Sequence, residues 1–360
     1  MSDYFEIDFL DVESAKSGDA IALRYQLNGR TSIHVVDAGF QDTGQSVVDH
    51  IRHYYGNPTY IDHVVATHPD GDHAGGLRTV IDSFTVGTLW MLRPWAYATH
   101  LLPLFPTYRS AQALAVRLRS IYPNIAALEE IAIARGIPIQ EPFQGKLIGA
   151  FRVLAPNPAR YVQLILDSDR TPETIDDHPL SGLIGRSMGE AFTRLRNLVK
   201  GAWGHEVFSP SETSAENDMS VVQHAVLCGE RILLTADAGR AALTEAADYA
   251  QAMGISLPGI DRFQVPHHGS RRNVSTEVLD RWLGPRRVLP GHRATFSAIC
   301  SSAKLDENHP RNSVRRAIIH RGGDFFATEG INIRSAGGAA PARAGYGPLT
   351  PSSYPEDQEE

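Results

Sequence analysis

From His68 to His73 the chain reads His-Pro-Asp-Gly-Asp-His, so four of six positions carry side chains able to ligate a divalent metal. Two imidazoles and two carboxylates cannot be buried together without partners, because desolvating them costs too much. A solvated acidic turn is the plain alternative. The density of the pattern, followed by Ala74-Gly75-Gly76, argues instead for a loop folded around a metal. The run Ile61 to Thr67 is rich in β-branched residues and is followed by Pro69 and Gly71, which predicts a strand delivering the loop at its tip.

The arrangement recurs along the chain. Runs at 20–27 and 32–37, joined by the hairpin signal Asn28-Gly29, end in Asp37-Ala38-Gly39. The apolar Ile232-Leu233-Leu234 leads to Asp237-Ala238-Gly239, and Phe263-Gln264-Val265 leads to Pro266-His267-His268-Gly269-Ser270. Each expected strand thus ends on a candidate ligand. Asp37 fits two roles equally, a carboxylate that holds a ligating histidine or a simple cap. Further strands are expected near 4–12, 86–91, 145–155, 220–227 and 286–290, with a closing pair between Asp324 and Ile333. Helical spacing marks 45–55, 77–84, 111–121, 125–135, 180–200, 240–253, 275–284 and 313–321. Residues 95–215 are expected to be partly an insertion over the core, acting as a lid or as a plain structural subdomain. Residues 336–360, dominated by Gly, Ala, Pro, Ser and terminal acids, are expected to form a disordered tail.

A net charge of -7 does not mark the chain as a nucleic-acid binder, yet residues 261–335 hold 13 Lys/Arg against 7 Asp/Glu. That local excess allows a basic face toward an anionic substrate. The two cysteines, Cys228 and Cys300, each in apolar or small-residue surroundings, read as reduced core residues rather than a disulfide or metal pair. No apolar run approaches the ~20 residues that span a bilayer, and the acidic N-terminus lacks a secretory pattern, so a cytoplasmic location and no membrane partner are expected.

These residues together resemble the metallo-β-lactamase superfamily of dinuclear metallohydrolases. Within it, Phe9-Leu10-Asp11-Val12 with Gly18-Asp19-Ala20, Asn217-Asp218-Met219-Ser220-Val221, His267-His268-Gly269-Ser270 and Asn308-His309-Pro310 are similar to the competence-protein branch, the hydrolase domain of bacterial DNA-uptake proteins. Asp70 stands where the commonest superfamily loop has a second histidine, as it does in that branch. No histidine between the loop and Asp237 stands in a matching motif. The resemblance implies an αββα sandwich over residues 1–335 with the metals at one edge of the sheets.

Carried over position by position, His68 and Asp70 would hold one metal, Asp72 and His73 the other, with Asp237 bridging. One of His267 and His268, with His268 preferred, would complete the second site. The cofactors implied are two divalent ions, Zn or Mn, with Mg also compatible; the Asp70 carboxylate shifts preference toward harder metals. The implied chemistry is hydrolysis by metal-activated hydroxide, with Asp72 orienting it. His309 would protonate the leaving oxygen, and the member of the His267-His268 pair that is not a ligand would assist. Asn217, Ser220, Ser270, Arg271 and Arg272 are candidate substrate contacts, and Arg311, Arg315 and Arg316 candidate phosphate contacts or a solvated helix face. The expected activity is a phosphodiesterase, foremost a nuclease on DNA or RNA; alternatives are a small phosphoester hydrolase, on a choline-phosphate or nucleotide ester, and an inactive partner-binding module.

Overall fold

The computed structural model describes residues 2–171, 203–289 and 294–359. Its strands are β1 (Tyr4–Phe9), β2 (Ala20–Leu27), β3 (Arg30–Ala38), β4 (Tyr60–Val65), β5 (Thr85–Trp90), β6 (Ile139–Gln140) and β7 (Leu147–Ile148). They continue with β8 (Phe151–Ala155), β9 (Val222–Leu227), β10 (Glu230–Leu234), β11 (Arg262–Gln264), β12 (Phe296–Cys300), β13 (Gly323–Ala327) and β14 (Ile333–Gly338). One sheet has the order β14-β1-β2-β3-β4-β5-β6, the other β13-β12-β11-β10-β9-β8-β7. Both are built alike: antiparallel strands lead into a parallel run, β3 to β6 in one and β10 to β13 in the other. This is the expected αββα sandwich, and its two similar halves match the alternation of β-rich and helical blocks.

In the second sheet, period-two alternation divides β10 and β12 between two apolar layers. Ile232 and Leu234 of β10 join the layer between the sheets, whereas Leu233 turns outward onto the helices Arg240–Ala252 and Thr276–Leu283. Ile299 of β12 faces inward, and Ala298 and Cys300 face outward. The acidic alternation of β1 does not mark a solvated face. Glu6 and Asp8 are fully buried, Glu6 accepting from Arg24, Arg334 and Arg343 and Asp8 from Tyr55 and Arg343.

Three expectations about elements are corrected. Residues 286–289 form no strand, and Val288 and Leu289 are exposed; the strand of that region is β12, whose short sequence Phe-Ser-Ala-Ile-Cys hid it. The closing strands β13 and β14 do not pair with each other but finish opposite sheets. Within segment 95–215, the strand expected at 145–155 forms as β7 and β8 of the second sheet, β6 adds an edge to the first, and an unexpected helix, Pro158–Asp167, is capped by the Asn157 side chain. The stretch beyond 335 is tied down: β14 runs to Gly338, Arg343 pairs with Asp8, and Glu359 accepts from the backbone of Asn312 and Ser313. The helix expected at 180–200 lies outside the described residues. Cys300 is buried in the core as expected, but Cys228 is not: it sits exposed in the β9–β10 turn. Among the described residues no helix is long and apolar enough to cross a membrane.

Candidate metal centre

The parallel strands of both sheets deliver their C-terminal ends to one seam, where ligands of αβ folds collect. From the first sheet come Asp37 at the end of β3 and the His68–His73 loop after β4; from the second come Asp237 after β10 and His267 and His268 after β11. The backbone is left-handed at Asp37 (φ 56°), Ala236 (φ 46°), His267 (φ 46°) and His268 (φ 54°), a conformation that costs non-glycine residues energy and clusters at functional sites. The seam is stitched by Gln264 Nε2 donating to Asp19 Oδ2 at 2.7 Å and by Val221 N donating to Thr67 O at 3.1 Å.

Asp37 organises the histidines from behind. Its carboxylate accepts from His73 Nδ1 at 2.8 Å, Thr67 N at 2.9 Å and Thr67 Oγ1 at 2.5 Å, and that hydroxyl lies 3.1 Å from His68 Nδ1. His268 Nδ1 donates to Ser301 O at 2.8 Å. Every Nδ1 is thereby occupied, and each Nε2 is turned to the seam. Of the two roles open to Asp37, the geometry is that of a carboxylate holding a ligand.

The buried atoms His68 Nε2, His73 Nε2, His268 Nε2 and Asp237 Oδ1 have no hydrogen-bond partner. His73 Nε2 is 3.1 Å from Asp237 Oδ1 and His268 Nε2 is 3.7 Å from it, the first close enough for a hydrogen bond yet misaligned for one. Converging lone pairs on buried atoms of this kind fit a cation between them. Donor atoms of Asp72, His73, Asp237 and His268 all lie within 4.8 Å of one another, so these residues fit a divalent metal. The electrostatics agree. Burial opposes charge on His268, but Asp237 and Asp72 raise it to about 9; burial likewise opposes charge on His73, and Asp237 and Asp37 hold it well above the ordinary range. Burial would raise Asp237, yet His267, His73 and His268 hold it well below the carboxylate range. Protons on imidazoles here supply the positive charge a metal would bring.

The remaining expected residues divide. His68 Nε2 is 3.8 Å from Asp237 Oδ2 and 4.0 Å from Asp70 Oδ2, while Asp70 Oδ1 pairs with Arg170 Nη1 at 2.7 Å. His267 Nε2 lies 3.5 Å from Asp237 Oδ2, on the open side of the cluster. Asn217 is buried and its Nδ2 lies 3.1 Å from His267 Nδ1, so it positions that ring rather than meeting substrate. Ser220 is likewise not a substrate contact: it is fully buried and accepts from Asp237 N. Arg316 is buried against the carbonyls of Pro355 and Glu356, and Arg315 pairs with Glu329, so neither faces the cleft.

Ser270, Arg271, Arg272 and Arg311 do come together with Ser209, His267, Asn308 and His309, around a cavity of about 360 Å³. His309 stacks on His267 at 5.7 Å, and its Nδ1 lies 3.2 Å from Asp306 Oδ2, which also accepts from Ser17. Burial, with His268 and His267 nearby, lowers His309 to about 4, so the ring is neutral near pH 7. Sequence reasoning missed Asp19, Asn273, Asp306 and Arg170. Asp19 was visible only as part of Gly18-Asp19-Ala20, with no role attached. Asn273, whose Oδ1 lies 2.9 Å from His267 Nδ1, carried no signal at all.

Residues 25–149 match the family model described as the metallo-beta-lactamase superfamily. No curated protein matches the chain. Among solved structures, the chain is similar to the metallo-beta-lactamase SMB-1 bound to 2-mercaptoethanesulfonate, at 10% identity over 68% of this chain and 74% of that one, with a TM-score of 0.29. It is similar to the hydrolase AbOPH of the beta lactamase superfamily at 12% identity over 61% of this chain and 56% of that one, with a TM-score of 0.28. A third is the E377D mutant of the CmlA beta-hydroxylase, at 11% identity over 92% of this chain and 53% of that one, with a TM-score of 0.41. The matched segment, about a third of the chain, holds the His68–His73 loop, and the two-sheet sandwich brings Asp237 and His268 to it: residues 25–149 are similar to the metallo-β-lactamase superfamily.

Proposed function

We propose that the chain is a metal-dependent phosphodiesterase, with a DNA or RNA strand as its foremost substrate. The observation that carries this reading is the cleft lined by Arg271, Arg272 and Arg311, which opens on His267 beside the Asp237 cluster. When bound, two divalent ions of the Zn, Mn or Mg class would lower the pKa of an attacking water and offset charge on the phosphoryl group. Asp72, Asp237, His73 and His268 are the residues that would hold the better-formed position, and Asp72, the most open of them, is the one placed to orient a water. The arginines grip phosphate oxygens through paired N–H donors. His309 with its Nδ1 proton on Asp306 presents Nε2 as an acceptor, so it takes up a proton before it can give one to a leaving oxygen.

A small phosphodiester is the second reading. It is favoured by the modest cavity and by Arg271, which donates to Glu359 O and so closes one side of the cleft. The purified protein, supplied with Mn²⁺, Mg²⁺ or Zn²⁺, is tested on labelled single- and double-stranded DNA, RNA and a chromogenic phosphodiester, beside Asp72→Ala. Polymer cleavage abolished by Asp72→Ala supports the nuclease reading. Cleavage of the small ester alone supports the second, and activity unchanged by Asp72→Ala overturns the metal mechanism.

A further inference from the structure

We infer that Arg170 is a latch on Asp70 that keeps the second metal position of the centre weak, so that the chain loads one metal tightly and a second only when the latch is released. The inference rests on reading the cluster as a metal centre. The two positions are unequal in the structure. Asp72, His73, Asp237 and His268 form a closed set of four donors within 4.8 Å. Asp37, His68 and His73 satisfy the same limit, but Asp37 is already spent on hydrogen bonds to His73 and Thr67 behind the rings.

What is left for a second ion is His68 Nε2, the outer oxygen of Asp237, His267 and Asp70. The last of these is claimed. Arg170 Nη1 donates to Asp70 Oδ1 at 2.7 Å, and its Nε lies 3.7 Å from Glu216 Oε1. Glu216 is buried and in turn accepts from Ser168 Oγ and Tyr122 OH. The guanidinium is therefore aimed from a fixed anchor. It supplies the positive charge beside Asp70 that an ion would otherwise supply, and any cation arriving there must displace a charge-assisted hydrogen bond. Arg170 is 45% exposed at its side chain, so it can swing to solvent without opening a cavity, and replacing it leaves the core intact.

The test is metal stoichiometry. Metal-free protein is equilibrated with Mn²⁺ at graded free concentrations; bound metal per chain is counted by elemental analysis, and paired Mn²⁺ is detected by its spin-coupled paramagnetic resonance signal. Wild type should hold one ion over a range in which Arg170→Ala and Arg170→Gln hold two and show the coupled signal, a gain of about tenfold or more in second-ion affinity. Arg170→Lys should stay close to wild type, and Asp70→Ala added to Arg170→Ala should return the count to one. Two ions of equal affinity in wild type, or an unchanged count in Arg170→Ala, would overturn the latch. No metal in any variant would instead overturn the metal centre itself.

Discussion

At the scale of single residues, the centre depends on side chains that never meet substrate. Asp37 binds two histidines through hydrogen bonds, one direct and one through Thr67, so Asp37→Asn should weaken metal binding about 10- to 100-fold while leaving the fold in place. Competition against a chromogenic chelator reads this directly. Outside the cleft lining, burial would raise Glu206, but His320 and the Arg321 guanidinium lower it from 4.5 to about 2. Its contribution to stability is therefore complete above about pH 4.5 and disappears as pH falls through about 2. Melting temperature followed against pH should drop across that window more steeply in wild type than in Glu206→Gln. At neutral pH the variant should be about 3 kcal/mol less stable, because it leaves the buried Arg321 underpaired. The candidate donors His68, Asp72, His73 and Asp237 stood out in sequence, since each sits near a strand tip within two residues of glycine or proline, whereas the choice between His267 and His268 did not. Arg170 and Asn273 did not either, because their partners lie 100 and 6 residues away and no spacing rule joins them.

At the scale of elements, the glycines after His73 explain why the metal loop can turn back so sharply. A Cβ on Gly76 would stand 2.1 Å from Ala38 O and 2.8 Å from Phe40 O, which packs the loop directly against the end of β3. Gly76→Ala should cost about 3 kcal/mol by urea unfolding and should also loosen Asp37, which lies in that strand. Strands flanked by clear turns, such as β2, β3 and β10, were legible from alternation and hairpin residues. The strand β12 was not, because it is only five residues long and Ser297 interrupts its apolar run, and the exposed Val288 and Leu289 imitated it. The order of β13 and β14 escaped for another reason: adjacency in sequence suggested a pair, whereas the fold uses them to finish two different sheets.

At the scale of the molecule, ligands from both sheets meet across one seam. Any ion bound there adds its binding free energy to folding, so a chelator should lower the melting temperature, and saturating Mn²⁺ or Zn²⁺ at 100 times its dissociation constant should add about 2.7 kcal/mol. Thermal scans with and without metal, at fixed protein concentration, measure it. The division of ligands has one more consequence. Cutting the chain between residues 171 and 203 leaves His68, Asp70, Asp72 and His73 on one fragment and Asp237 and His268 on the other, with β8 parted from its partner β9. Neither fragment alone owns a complete binding set, so metal uptake by a mixture of the two becomes a gauge of their reunion, and the ion acts as a reporter of complementation.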